Sequence, residues 1–306
     1  MENDDRVDEY LKRIDINRPE DVPDEEYLAQ LHVGHLTHIP FETFDLIDIK
    51  QLNIEQDQIF RKLVQEKRGG VCCEMNGLFA FILQNFNYKI EFIPCGVYAV
   101  ETESYSDLYT HIAMRVTTKN GTKYLCDVGF SVDPLTPLYF QTDCVQYALN
   151  GFYQIIKSDD QLYYQLRNGC LKNKNDQFSL TSSSLQTLIV DIDPERIAWR
   201  ISYRFPIDFD EKTLTLQDFK FKCPSIVHSP GVILNHQSIC HIHTYQPTVG
   251  AYSLNGKKYS EWIIQNGHAI RKNAPSSIDE KEVEKLLQEN FNLNIERKIE
   301  LVDSLI

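Results

Sequence analysis

Nine residues, Arg68-Gly69-Gly70-Val71-Cys72-Cys73-Glu74-Met75-Asn76, fall between two stretches of helical periodicity and constrain the chain more than any other segment. Upstream, Ile59, Leu63 and Val64 share one face of a helix expected near 56–67. Downstream, Leu78, Phe79, Ile82, Leu83 and Phe86 form the apolar stripe of a second helix over 73–86. The two glycines between them are what a helix end uses when the chain leaves through positive φ. A cysteine in the first turn of the next helix meets unpaired backbone N–H groups and the positive end of the dipole. That setting is expected to lower a thiol pKa and favour the thiolate, the form that attacks carbonyls. Free cysteine is also a small side chain that packs readily in cores, so this stretch alone leaves both readings open.

Helical patterns also cover 6–13 and 24–36, the second with Pro23 before it and Pro40 beyond it, so the first third of the chain reads as α-helical. From Tyr88 the period changes to alternation. Residues 89–99 and 110–127 read as strands, with a hairpin at Asn120-Gly121. A two-residue turn there would pair Lys119 with Thr122 and send His111 and Asp127 to opposite faces. A three-residue loop, Lys119-Asn120-Gly121 with Gly121 left-handed, instead pairs Ile112 with Val128, Met114 with Cys126 and Val116 with Tyr124. The apolar matching favours the second register, which also sets Asp127 diagonal to His111 on one face. Further strands are expected at 151–157, 162–167, 239–245, 251–254 and 257–264, with Asn255-Gly256 as a second hairpin turn. The stretch 170–185 reads as a polar surface excursion and 214–222 as a short helix. Ser277-Ile278-Asp279-Glu280 reads as a capping box opening a helix through Val283, Leu286, Leu287 and Phe291.

A net charge of −13, with no block of Lys or Arg, argues against nucleic-acid partners. The opening residues Met1-Glu2-Asn3-Asp4-Asp5 lack the apolar core of a signal peptide, and no apolar run is long enough to span a bilayer. Eight dispersed cysteines without CxxC pairs fit a reduced, cytoplasmic setting. His32, His35 and His38 share a helical face and His241 and His243 alternate along a strand. Neither set has acidic or thiol companions at ligand spacing, so no metal and no tightly bound cofactor is expected. The expected state is a monomer.

A thiol, an imidazole and a carboxylate are the parts of an activated nucleophile, here in the order Cys72, His111, Asp127. At these residues the chain resembles the arylamine N-acetyltransferases. The matching pieces are Ile39-Pro40-Phe41-Glu42, Arg68-Gly69-Gly70-Val71-Cys72 with Glu74 and Asn76, Thr110-His111, and Asp127-Val128-Gly129-Phe130. The resemblance implies acetyl transfer from acetyl-CoA, as co-substrate, to an arylamine, arylhydrazine or arylhydroxylamine, through a thioester on Cys72 rather than Cys73. It implies His111 as base, Asp127 as its orienting carboxylate, and Arg68 with Glu42 as a buried structural pair. It also implies that Phe41, Tyr98 and Phe130 line the aromatic pocket, with Thr110 beside it. Ser225, His228, Ser229, Gly231 and Ser304 fall at positions that meet CoA in the family. Departures are Ser225 and Gly231, where relatives carry other side chains, Asp107 in place of a small hydroxyl, and Ser131 in place of a glycine. The implied fold is α+β: a helical bundle over 1–88, a β-barrel over 89–205 and an α/β lid over 206–306, as in the wider cysteine-protease and transglutaminase-like superfamily. The same three residues in the same order also serve a transglutaminase-like or thioester-hydrolysing cysteine enzyme, which is the competing expectation. A catalytically silent binding protein on the same fold is a third.

Overall fold

Closeness of backbone, rather than unusual φ, explains the glycine pair. In the computed structural model a Cβ on Gly69 would lie 2.2 Å from the Pro40 carbonyl oxygen, and one on Gly70 would lie 2.8 Å from a Glu74 carboxylate oxygen. The left-handed residue that ends the preceding helix is Lys67, at φ 51°, and neither glycine has positive φ. The expected glycine-terminated helix is therefore corrected: these glycines let the Pro40 backbone and the Glu74 side chain close on the loop. The structure describes residues 3–21, 23–48, 52–131, 134–178, 185–208, 214–220, 237–273, 276–279, 281–295 and 298–303.

The helical layer contains α1 (Asn3–Arg13), α2 (Glu25–His38), α3 (Phe44–Asp48), α4 (Gln56–Phe60) and α5 (Cys72–Asn85), and a two-residue strand β1 (Phe41–Glu42) runs between α2 and α3. The stretch expected as one helix over 56–67 is two: after α4 the backbone widens into a π-turn over Arg61–Gln65. α5 is apolar on almost every side, with eleven residues from Cys72 to Leu83 buried, which places it in the middle of the molecule.

A ten-stranded antiparallel sheet follows. It comprises β2 (Lys89–Ala99), β3 (Ser104–Tyr105), β4 (His111–Thr117), β5 (Lys123–Cys126), β6 (Leu138–Tyr139), β7 (Val145–Tyr147), β8 (Phe152–Lys157), β9 (Tyr163–Leu171), β10 (Leu188–Val190) and β11 (Ile197–Pro206). The order is β10-β7-β8-β9-β11-β2-β4-β5-β6, with β3 on β2. Alternation along β4 assigns its two faces. Ile112, Met114 and Val116 join the core shared with the helices, and Ala113 joins a second core on the other side with Ile93, Leu125 and Phe205. Met114 pairs with Cys126 and Val116 with Tyr124, as the apolar matching predicts. The Thr118 N–H donates to the Thr122 carbonyl (3.0 Å) and Gly121 has φ 91°, so the loop has three residues.

After α6 (Leu216–Lys220) a six-stranded sheet forms from β1, β12 (Ile239–Thr244), β13 (Gly250–Asn255), β14 (Lys258–Gln265), β15 (His268–Arg271) and β16 (Ser276–Ser277). Asn255 pairs with Lys258, so the second hairpin turns through Gly256-Lys257, one residue later than expected. Ser277 pairs with Lys258 in β16 and cannot cap a helix. The last helix, α7 (Val283–Phe291), starts beyond it with Glu282 at its N-cap. The expected surface excursion begins later than 170, because Cys170 and the buried Leu171 still belong to β9. Leu301 is buried against α7, so the tail packs down to that point.

A buried charge cluster ties the glycine loop to its surroundings. Arg68 binds Glu42 (2.6 Å) and Asp45 (3.0 Å), while Lys62 binds Asp45 (2.9 Å) and Glu74 (2.8 Å). A Glu74 oxygen also accepts the Val71 N–H, the orphan donor at the start of α5. The two cations hold the Asp45 carboxyl well below the usual carboxylate range against the effect of burial. Asp45 therefore contributes stability that is present above its unfolded pKa, near 4, and is lost as pH falls below it. The stability of Asp45→Asn should accordingly decline less steeply than wild type between pH 5 and pH 3, as read by urea denaturation. Lys62→Met leaves two buried carboxylates under-compensated and should cost about 3–5 kcal/mol. Adding Glu74→Gln should recover part of that loss, since the amide oxygen can still accept the Val71 N–H.

Candidate active site

Cys72 opens α5, His111 opens β4 and Asp127 follows β5, so a helix start and two adjacent strand ends deliver the three side chains to one place. Each is buried, Asp127 at 1 % exposure and His111 at 2 %. His111 Nε2 lies 2.6 Å from Asp127 Oδ2, and the same imidazole interacts electrostatically with the Cys72 thiol. The sulfur is also 4.0 Å from the Thr110 carbonyl oxygen.

Asp127 is held from several sides. Asn76 on α5 donates to its Oδ1 (2.9 Å), and the Gly129 N–H donates to the same atom (3.1 Å). Asn76 further donates to the Ile112 carbonyl (2.7 Å) and accepts the Val128 N–H (3.0 Å), stitching α5 to both strands through one amide. His32 on α2 places Nε2 3.4 Å from the Asp127 N–H and Nδ1 3.2 Å from the Leu135 carbonyl. Burial lowers its pKa to about 4, so it acts as a neutral support. Gly129 is a close-approach glycine here: a Cβ would sit 2.6 Å from Cys72 Cα.

Burial disfavours the His111 imidazolium, but the adjacent Asp127 carboxylate outweighs it and lifts the imidazole pKa to about 10. Asp127 is correspondingly lowered: burial resists its charge, while His111, Asn76 and the Gly129 N–H overcome that resistance. The Cys72 thiol departs from expectation. Its hydrogen bond with Cys73 and its burial push it up, against a downward pull from His111. The helix start alone does not make this sulfur a thiolate. Any activation has to come through the imidazole.

The aromatic candidates divide. The Phe130 ring packs on His111 with centroids 5.1 Å apart, and Tyr203 of β11, which nothing in the local sequence pattern singles out, packs on both at 5.0 and 5.5 Å. Phe41 sits in β1 between Gly70 and His241. Tyr98 stacks edge-on against Tyr105. The Thr110 hydroxyl donates to the Asp107 carbonyl (2.9 Å) and shapes the loop before β4. Arg68 and Glu42 pair as expected, but Asp45, Lys62 and Glu74 complete the cluster and were not anticipated. Ser225, His228, Ser229, Gly231 and Ser304 lie outside the described residues. Among the described residues there is no group of three metal-ligating side chains, and no helix is long and apolar enough to cross a membrane.

The chain as a whole has counterparts. A family model described as N-acetyltransferase matches residues 24–300. The liver isozyme of arylamine N-acetyltransferase from Gallus gallus is 26% identical over 296 residues, spanning 96% of this chain and 97% of that protein. The arylamine N-acetyltransferase / N-hydroxyarylamine O-acetyltransferase of Salmonella typhimurium is 29% identical over 160 residues, 52% of this chain and 56% of that one. The Mycobacterium marinum arylamine N-acetyltransferase in complex with CoA shares the fold, with a TM-score of 0.73 at 20% identity over 94% of this chain and 92% of that one. The α+β architecture is thus that of these enzymes, and with nearly its whole length matched the chain belongs to the arylamine N-acetyltransferase family.

Proposed function

We propose that this enzyme transfers acetyl groups from acetyl-CoA to aromatic amines, hydrazines or hydroxylamines in two half-reactions on Cys72. The observation that carries the reading is the single buried imidazole held 2.6 Å from Asp127 and interacting electrostatically with the Cys72 thiol. In the first half, Cys72 Sγ attacks the thioester carbonyl of acetyl-CoA and its proton passes to His111. The carbon–sulfur bond to CoA breaks, and the CoA thiol leaves with a proton. In the second, the amine nitrogen attacks the acetyl-cysteine carbonyl, His111 takes the nitrogen proton, and sulfur leaves and is reprotonated. Asp127 keeps Nε2 occupied, which fixes which ring nitrogen serves the sulfur and stabilises the imidazolium. Because burial and Cys73 hold the thiol up, that stabilisation has to lower the cost of forming the thiolate.

Phe130, with Phe41 nearby on β1, supplies flat apolar surface for the acceptor ring beside His111. The Mycobacterium marinum relative was solved with CoA. By resemblance, the CoA contacts of this chain would come from Ser225, His228, Ser229, Gly231 and Ser304, with Thr110 beside the sulfur. On the same reading the nucleophile belongs to a unit ending near residue 88, the base and carboxylate to one ending near 205, and the remainder covers them. The enzyme works as a monomer in the cytoplasm, the reduced compartment where a nucleophilic thiol stays available.

Mixing the protein with acetyl-CoA alone should release about one equivalent of CoA per Cys72 and then stop, with steady release resuming on addition of an arylamine. Continuous CoA release without amine would instead mark a thioester hydrolase. Cys72→Ala should give neither phase. Asp127→Asn should lower kcat on the order of 10³–10⁴-fold, because the imidazole loses both its orientation and its counter-charge. A loss below tenfold in a folded Asp127→Asn variant would remove Asp127 from the mechanism.

A further inference from the structure

Along β12 the side chains of His241 and His243 stand two residues apart. They therefore leave the strand on one face, with Cα atoms about 7 Å apart. Both line a cavity of about 540 Å³ between the two sheets, and their rings meet edge to face with centroids 4.8 Å apart. His241 Nδ1 is bonded to Ser253 Oγ (2.8 Å), its cross-strand partner on β13. His243 as a whole is only 6 % exposed. Neither Nε2 has a hydrogen-bond partner among the described residues, although both atoms are buried. Buried polar atoms are seldom left so. Burial lowers His241 to about 4 and His243 well below its ordinary value. Both imidazoles are thus neutral near pH 7, and each carries a lone pair on one ring nitrogen.

The surroundings narrow what these two nitrogens can hold. An oxygen in contact with Nδ1 is how metal-binding histidines are oriented: the Nδ1–H donates to it and the lone pair stays on Nε2. No Asp or Glu is among the described residues lining the cavity, so magnesium and calcium lack the carboxylates they require. Imidazole nitrogen suits nickel, copper(II) and zinc instead. Cys240, next to His241, faces the opposite way into a buried core and adds no thiolate to the pair. The charged side chain on the wall, Arg200, belongs to β11 in the other sheet and is exposed, and solvent weakens its repulsion of a cation.

We propose that His241 and His243 form a two-imidazole chelate for a divalent first-row transition metal of the nickel, copper and zinc group, bound through both Nε2 atoms, with Ser253 fixing the His241 ring from behind. Metal–nitrogen bonds of about 2.0–2.1 Å give both buried atoms the partner they lack. Two protein ligands leave the other coordination positions open to the cavity, where water or a small anion takes them. The site is therefore an exchangeable one, added to the fold rather than required by it. It does not depend on the acetyl-transfer reading.

Isothermal titration calorimetry of the full chain with nickel(II) chloride tests the site, nickel being less drawn to thiolates than zinc. One equivalent should bind, and magnesium chloride should give no heat. His241→Gln and His243→Gln should each weaken nickel at least about tenfold, and Ser253→Ala, which removes only the hydroxyl behind the ring, about tenfold. Cys72→Ala and Cys170→Ala, the second on the cavity wall, should bind as wild type does. The thermal midpoint of each metal-free variant reports that it is folded. Unchanged nickel affinity in a folded His243→Gln variant would overturn the proposal. So would loss of binding in either cysteine variant, or a thiolate-to-nickel charge-transfer band in the wild-type spectrum, since each gives the metal to a sulfur. Should both histidine variants fail to fold, Ser253→Ala decides alone, and an unchanged affinity there overturns the assignment. None of these readouts involves acetyl transfer, so the two readings fail separately.

Discussion

Putting Glu42 and Glu74 under the helical layer, each almost without solvent contact, would cost several kcal/mol apiece if they were left uncompensated. Arg68 and Lys62 remove that cost only if they reach inward from the π-turn and the glycine loop, with Asp45 bridging them. The requirement is mutual. Burial works against the charge of Lys62 and Arg68, and the carboxylates hold both in the cationic form. A cluster that is satisfied only in one arrangement fixes the loop before α5, and with it the point where Cys72 enters the helix. Gly69 and Gly70 follow from this, since any side chain at either position would strike the backbone or carboxylate that the cluster draws close.

Deeper in the molecule, Asp127 has a comparable role. Its carboxylate is fully buried, and its hydrogen bonds reach α5 through Asn76, β4 through His111 and its own strand end through Gly129. His32 braces the backbone on the α2 side. The helices and the ten-stranded sheet are therefore joined at the same carboxylate that sets the imidazole. Stability and the setting of the His111 ring draw on one set of bonds here, and loosening the junction would loosen the imidazole.

The sequence carried the features governed by local rules. Alternation and loop chemistry were enough to choose the β4–β5 register, because a one-residue slip would have exposed Met114 and Val116. That register put His111 and Asp127 on one face. What stayed hidden was decided by tertiary contact. Lys62 reads as a surface residue of an amphipathic helix until the π-turn rotates it toward Glu74. Tyr203 reads as one aromatic of many, and only the curl of the sheet brings β11 beside His111. The capping-box pattern at Ser277 was locally sound and lost to pairing with β14, a competition that no spacing rule records. The thiol was misjudged for a related reason. Helix position can be read from sequence, whereas complete burial and the Cys73 contact cannot.

β1 has a significance out of proportion to its two residues. Phe41 and Glu42 pair with β12 on one side, and Phe41 bridges to Gly70 on the other. The six-stranded sheet is thereby hydrogen-bonded to the loop that leads into Cys72, through a segment whose next side chain anchors Arg68. A shift of that sheet would pull on Glu42 and, through Arg68, on the approach to Cys72.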